Sequence, residues 1–162
     1  MRYSTLTTPI GELLLTADDD GALTGVNLPN RHPDPAGWER DDALLGDARR
    51  QLTEYFAGER TAFDLPLRPT GTPFQLRVWD ALLRIPYGET ASYGELAQEL
   101  GQGERDPRLA RAVGAANGRN PIAIVVPCHR VIGANGSLTG YAGGLECKRA
   151  LLDLEVGRAA LV

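Results

Sequence analysis

Cys128 sits in the run Pro127-Cys128-His129-Arg130, so a sulfur nucleophile has an imidazole beside it and a guanidinium two residues on. Most free cysteines are small buried hydrophobes. Cationic neighbours, however, favour the thiolate, the form that attacks electrophilic carbon, so the run points to nucleophilic chemistry with a lowered thiol pKa. On an extended segment adjacent side chains project to opposite sides, which lets His129 act on the sulfur through a water rather than by contact. Such a histidine needs a third group to orient it. Glu155 has the right chemistry, although a carboxylate at a helix end is more often a solvated charge. The two cysteines, Cys128 and Cys147, and the two histidines, His32 and His129, form no spacing that supplies four zinc ligands. Neither a metal nor a disulfide framework is expected, and Cys147 reads as structural.

The charge distribution bears on the partner. A net charge of −4 argues at first against nucleic acid, because DNA binding rests on cations that neutralise phosphates. The total hides an asymmetry. Residues 1–69 carry 7 Lys and Arg against 12 Asp and Glu, whereas residues 70–162 carry 10 against 9. Between Arg105 and Arg130, five arginines (105, 108, 111, 119 and 130) face Asp106 alone. That stretch is a local basic patch.

The elements that must position these residues follow from periodicity and turn chemistry. Tyr3–Thr7, Ile10–Thr16 and Ala22–Leu28 alternate apolar and polar residues, separated by Thr8-Pro9-Ile10-Gly11 and Asp18-Asp19-Asp20-Gly21, and read as an antiparallel meander. Asn30–Gly37 is a proline-rich loop. A helix follows from Ala43 to Gly58, then a strand over Thr61–Leu67, and Arg68-Pro69-Thr70-Gly71 marks a boundary. Thr72-Pro73 opens a helix that runs through Ile85. Ser92-Tyr93-Gly94-Glu95 is a capping box before a short helix that stops at Gly101, and Pro107 opens the next, arginine-bearing helix. The two form a helix-turn-helix candidate. Ile122–Val126 is an apolar run suited to a buried strand or extended segment, ending at Cys128. Gly133-Ala134-Asn135-Gly136 reads as a hairpin turn, Gly140–Gly144 as a flexible loop, and Lys148–Glu155 as a last helix.

Length and composition agree with a folded, loop-rich chain: 162 residues, 43% hydrophobic and 23% charged, with 19 glycines and 11 prolines. No apolar run is long enough to cross a bilayer, and Met1-Arg2-Tyr3-Ser4-Thr5 does not open a signal peptide, so a soluble, cytoplasmic protein is expected.

Four motifs together carry a resemblance: Ala112-Val113-Gly114-Ala115-Ala116-Asn117, Asn120-Pro121-Ile122, Pro127-Cys128-His129-Arg130-Val131-Ile132 and Gly140-Tyr141-Ala142-Gly143-Gly144. The chain resembles the O6-alkylguanine-DNA alkyltransferase family, strongly from about Thr72 to Glu155 and, over Met1–Leu67, through the order of strands and helix. The resemblance implies an α/β (α+β) fold. An RNase H-like N-terminal domain with an antiparallel sheet is implied over 1–68, and a winged-helix-like, mostly helical DNA-binding and alkyltransferase domain over 72–162.

The resemblance further implies DNA repair by direct reversal. Cys128 takes the alkyl group from O6 of a guanine in duplex DNA, with O4-alkylthymine a further possible substrate. The product is a thioether, the protein is consumed after one transfer, and no cofactor is needed. Cys128, His129, Glu155, Asn120 and Tyr93 are the implied catalytic group, with Asn120 tying the chain near the site to the recognition helix. Arg111, Ala112, Tyr93, Asn117 and Arg130 are implied DNA contacts, and Tyr141, Ala142, Gly143 and Val131 wall the pocket. Arg111 matches the arginine that fills the space of the flipped base, which must leave the stack to be reached. Blander readings exist: a solvated arginine, a core tyrosine at 93, a turn residue at Asn120. The turn Gly101–Pro107 is longer than is usual in the family, Ala142 stands where some members have serine, and the zinc ligands of some relatives are missing. A monomer, able to bind DNA side by side with other copies, is expected. Competing readings are a non-catalytic alkylguanine-binding protein on the same scaffold, a thiol hydrolase, and a regulatory helix-turn-helix module.

Overall fold

Turn chemistry folds the first 27 residues back on themselves twice. β1 (Arg2–Thr8) pairs antiparallel with β2 (Gly11–Ala17), and β2 with β3 (Leu23–Asn27). At the first turn Thr8 Oγ1 donates to the Gly11 carbonyl at 2.7 Å. Gly11 has φ 114°, and a Cβ there would stand 2.7 Å from Pro29 Cγ, so both conformation and space demand glycine. At the second turn Asp18 Oδ1 accepts from the amides of Asp20 and Ala22 at 3.0 Å each. The structure, a computed structural model, describes residues 1–101, 106–136, 141 and 144–157.

The sheet is mixed rather than purely antiparallel. After the proline-rich loop the chain returns to its far edge as β4 (Glu39–Arg40), parallel to β1, giving the order β3-β2-β1-β4. α1 (Gly46–Phe56) buries Ala48, Gln51, Leu52, Tyr55 and Phe56 in the common core with Leu13, Leu15 and Ala17 of β2. The strand expected over Thr61–Leu67 is reduced to one bridge, Leu23 to Leu67. Two causes are visible. Pro66 has no amide to donate, and the Gln51 side chain takes both backbone groups of Asp64, at 2.9 and 2.8 Å.

The second half is mostly helical. α3 (Tyr93–Leu100) begins with the reciprocal capping box expected, Ser92 with Glu95, and α2 (Pro73–Leu82), expected to start at Thr72-Pro73, adds a second one, Thr72 with Gln75. α2 ends at Leu82, short of Ile85, where Pro86 approaches and the last residues tighten into turns. α4 (Pro107–Gly118) is capped by Asp106, and Trp79 Nε1 of α2 donates to the Ala116 carbonyl at 2.8 Å, clamping α4 against α2. β5 (Ala91–Ser92) and β6 (Val131–Ile132) form a short parallel pair, and α5 (Leu145–Glu155) closes the core. The unusual length expected of the 101–107 turn falls largely on residues outside those described. No described helix is long and apolar enough to cross a membrane.

Candidate active site

The segment that delivers Cys128 is buried throughout, from Ile122 to Val131, but it is not a strand. Ile122 makes one bridge to Val26, after which the chain turns on itself: Val125 N donates to the Ala123 carbonyl at 2.8 Å and Val126 N to that of Ile122 at 3.0 Å. Ile124 at the centre has φ 71°, a left-handed conformation that is costly for a β-branched residue. Cys128–Arg130 then form one 3-10 turn. Two asparagines hold this coil. Asn120 donates to the Val126 carbonyl at 2.8 Å and accepts from Ile122 N at 3.0 Å, and Asn117 of α4 donates to the Cys128 carbonyl at 3.4 Å.

Behind the cysteine lies a buried polar network. His129 Nε2 is 2.6 Å from Glu155 Oε2, and the same oxygen accepts from Tyr55 Oη at 2.6 Å and Arg130 Nη2 at 3.1 Å. Oε1 accepts from Arg130 Nε at 2.7 Å and, at 3.4 Å, from the amide of Gly88. Burial alone would raise the Glu155 pKa, but the hydrogen bonds from His129, Arg130 and Tyr55 outweigh it and hold the carboxyl at about 2. Burial lowers the His129 pKa, opposed by Glu155 and aided by the charges of Arg130 and Lys148, so the imidazole rests neutral. An ionised carboxylate only accepts; Nε2 therefore carries the proton and Nδ1 presents a lone pair. That Nδ1 is buried and has no hydrogen-bond partner among the described residues, Cys128 included.

The thiol itself departs from expectation. Full enclosure pushes the Cys128 pKa up, and hydrogen bonds from Asn120 and Tyr141 and the charge of Lys148 pull it only part of the way back. The sequence neighbourhood points toward a lowered value because it shows charges but not desolvation. Cys128 therefore rests as a thiol. It faces a cleft also lined by Asn27, Arg31, Asn117, Asn120 and Tyr141. Asn117 Oδ1 and Tyr141 Oη are buried without partners of ordinary hydrogen-bond geometry among the described residues, so the cleft has polar groups to offer a ligand.

Several expected site residues fall elsewhere. Arg130 is 7% exposed and committed to Glu155 and, at 2.7 Å, to the Ile85 carbonyl, so it cannot reach a phosphate; the expectation of a DNA contact is corrected to a buried ion-pair partner. Asn117 faces inward from α4, away from the exposed arginine face: it donates to the Cys128 carbonyl and lines the cleft. Val131 is fully buried in β6 and does not line the Cys128 cleft; its carbonyl accepts from Lys148 Nζ. Arg111 and Ala112 are exposed on α4, on the same face as Arg108, Ala115 and Arg119, opposite the buried Val113, Ala116 and Asn117. Tyr93, half-buried at the start of α3, lies against Gly114 of α4. Ala142 and Gly143 lie outside the described residues. Cys147 is half-buried on α5 and does not line the cleft.

Sequence reasoning missed Tyr55 and Lys148. Lys148 is fully buried, 5.9 Å from the Tyr141 ring centre, and its charge reaches Cys128. A signal existed: Lys148, Leu151 and Glu155 recur on the inner face of α5, and charged residues on a core stripe are unusual.

Two family models match the chain. One, described as 6-O-methylguanine DNA methyltransferase, ribonuclease-like domain, covers residues 1–69; the other, the DNA-binding domain of the same family, covers 73–157. A methylated-DNA–protein-cysteine methyltransferase of Methanosarcina acetivorans is 52% identical over 96% of this chain and 98% of its own length. One of Mycobacterium bovis is 53% identical over 98% of this chain and 94% of its own. Among solved structures, Mycobacterium tuberculosis OGT in complex with DNA superposes with a TM-score of 0.89 at 53% identity, over 98% of this chain and 95% of that one.

Proposed function

The chain belongs to the 6-O-methylguanine DNA methyltransferase family, and from that premise we propose that it repairs duplex DNA by moving the alkyl group of O6-alkylguanine onto Cys128. The Sγ–C bond forms as the C–O6 bond breaks. The thiol proton passes through a water to His129 Nδ1, Glu155 stabilises the resulting imidazolium, and the leaving guanine oxygen is met by a hydrogen bond from Tyr93. A thioether is stable to hydrolysis, so each molecule acts once and needs no cofactor.

The observation that carries this reading is the neutral, anchored His129 beside a buried thiol: Nε2 is held at 2.6 Å by Glu155 while Nδ1 is left with a lone pair. A thiol whose pKa is raised by burial needs such a base, and a buried sulfur needs its substrate brought to it. The guanine must therefore be rotated out of the stack, with Arg111 entering from the minor groove to fill the gap and the small Ala112 letting α4 approach closely. Tyr141 and Asn117 offer hydrogen bonds to the base, with Ala142 and Gly143 completing the wall. The division into a domain over 1–68 and one over 72–162, action as a cytoplasmic monomer, side-by-side binding and acceptance of O4-alkylthymine belong to the same proposal.

Intact-protein mass after incubation with duplex DNA containing O6-methylguanine tests it. Wild-type protein gains one CH2, located on the Cys128 peptide, and Cys128→Ser gains nothing while still binding the DNA. Binding without mass gain by the wild type would instead assign a lesion-binding protein, and repeated turnover a hydrolase.

A further inference from the structure

We infer that Tyr55 of α1 is a positioning residue for the reaction, its hydroxyl holding the Glu155 carboxylate and drawing charge from the oxygen on which His129 rests. The inference rests on the function proposed above and adds to it a role for the first half of the chain in the proton-transfer machinery of the second.

The geometry is specific. Tyr55 lies 100 positions before Glu155, yet its Oη stands 2.6 Å from Oε2, within a buried contact. Tyr55 is fully buried, and its ring is fixed edge-on to Phe56 at 5.3 Å and Tyr87 at 6.2 Å and tilted against Phe63 at 5.5 Å. A ring held on three sides leaves its hydroxyl little freedom, so the bond is pre-formed. Burial first, and then the neighbouring carboxylate, push the Tyr55 pKa far up, so its hydroxyl stays protonated and donates.

Oε2 thus serves three donors: Tyr55, His129 and the Arg130 guanidinium. Each donor takes a share of its charge. The stronger the share of Tyr55, the weaker the pull of the carboxylate on a proton at His129, and the more readily His129 stays neutral with Nδ1 free to accept. The other groups that face the pair are Arg130, whose guanidinium also stacks 5.7 Å from the Tyr87 ring centre, Lys148 of α5 and Tyr87. None of these changes when the Tyr55 hydroxyl alone is removed, which makes the hydroxyl separable by substitution.

The test is the titration of His129 in protein labelled with ¹⁵N-histidine, compared between wild type, Tyr55→Phe and Phe63→Leu. The chain has two histidines, and exposed His32, whose Nε2 is 2.8 Å from the Glu12 carbonyl, is an internal reference. Tyr55→Phe is expected to raise the His129 pKa by about one unit, equivalent to about a tenfold change in proton affinity. Phe63→Leu, which loosens the same ring packing but keeps the hydroxyl, leaves His129 where it was. The acid limb of the alkyl-transfer rate moves up with His129, so transfer slows up to about tenfold below that limb while the alkaline plateau holds within about twofold.

An unmoved or lowered His129, or an equal shift in Phe63→Leu, overturns the inference. Should Tyr55→Phe fail to fold, site-specific fluorotyrosine at 55 strengthens the donor and is expected to move His129 downward; no movement there is equally fatal. A wild type that gains no alkyl group refutes the proposed function, whereas the titration needs no DNA and decides the coupling by itself.

Discussion

Nε2 of His129 and Oε2 of Glu155 lie 2.6 Å apart, and neither side chain exposes any surface. Glu155→Gln keeps the shape but removes the charge, which leaves the Arg130 guanidinium buried without its counter-ion. Breaking a buried pair from one side costs about 3–5 kcal/mol. A loss of that size in urea unfolding at pH 7 is expected, together with at least about tenfold slower alkyl transfer.

The same carboxylate makes stability fall with acid. Glu155 is held at about 2 against an ordinary 4.5, because donors on both oxygens overcome the effect of burial. The unfolded chain takes up this proton near pH 4.5 and the folded chain only near 2. The stabilisation, about 3 kcal/mol, is therefore complete above 4.5 and is lost as pH falls toward 2. His129, lowered by burial from 6.5, acts in the same direction from a higher pH: below 6.5 the unfolded chain binds a proton that the folded chain resists. Denaturant midpoints should decline from about pH 6.5 downward, and Glu155→Gln should lack the steep part below 4.5. A flat profile across that range would exclude the buried carboxylate as its cause.

Arg111→Ala addresses DNA capture apart from chemistry. The side chain is exposed on α4, so folding should be unchanged within about 0.5 kcal/mol. Transfer from duplex DNA is expected to slow by about tenfold or more, as gap filling by an inserted side chain offsets an unstacking cost of a few kcal/mol. The rate of Cys128 reaction with iodoacetamide should not change. Equal repair by variant and wild type would assign the extrusion of the base to another residue.

What could be read from the amino-acid order follows from which interactions are local. The Ser92 capping box, the helix start at Thr72-Pro73, the Gly11 turn and the stop at Gly101 depend on residues within a few positions, and all lie where expected. The Cys128 and His129 pair and its carboxylate could be proposed from type alone. The partner of Glu155 in α1 could not, because 100 positions separate it from Tyr55 and only packing brings them together. Arg130 illustrates the opposite error. The resemblance implies a DNA contact there, but burial of Glu155 recruits the guanidinium inward. The apolar run Ile122–Val126 reads as a buried strand or extended segment because periodicity cannot register the side-chain bonds of Asn120 that coil it.

Asn120→Ala removes bonds at 2.8, 3.0 and 3.4 Å and leaves the buried Ile122 amide without its acceptor, while the Val126 carbonyl keeps the Cys128 amide. A destabilisation of about 1–3 kcal/mol in thermal or urea unfolding is expected. The Cys128 thiol also loses a hydrogen bond that opposes the effect of burial, so its pKa should move further up and transfer at neutral pH should slow. Thiolate absorbance near the ultraviolet edge, followed against pH, measures the displacement; a thiol that titrates as in the wild type would assign Asn120 a purely structural role.

β3 is the outermost strand of its sheet, and its free side is occupied by two passing segments: Leu23 exchanges bonds with Pro66 and Arg68, and Val26 with Pro121 and Ala123. The second of these segments is the one that leads into the reactive turn. The stretch that carries the nucleophile is thus also the guard of an otherwise adhesive border. Any event that lifts residues 121–123 away uncovers backbone able to recruit strands from other molecules, so damage to the reactive segment and a tendency to precipitate should arise together.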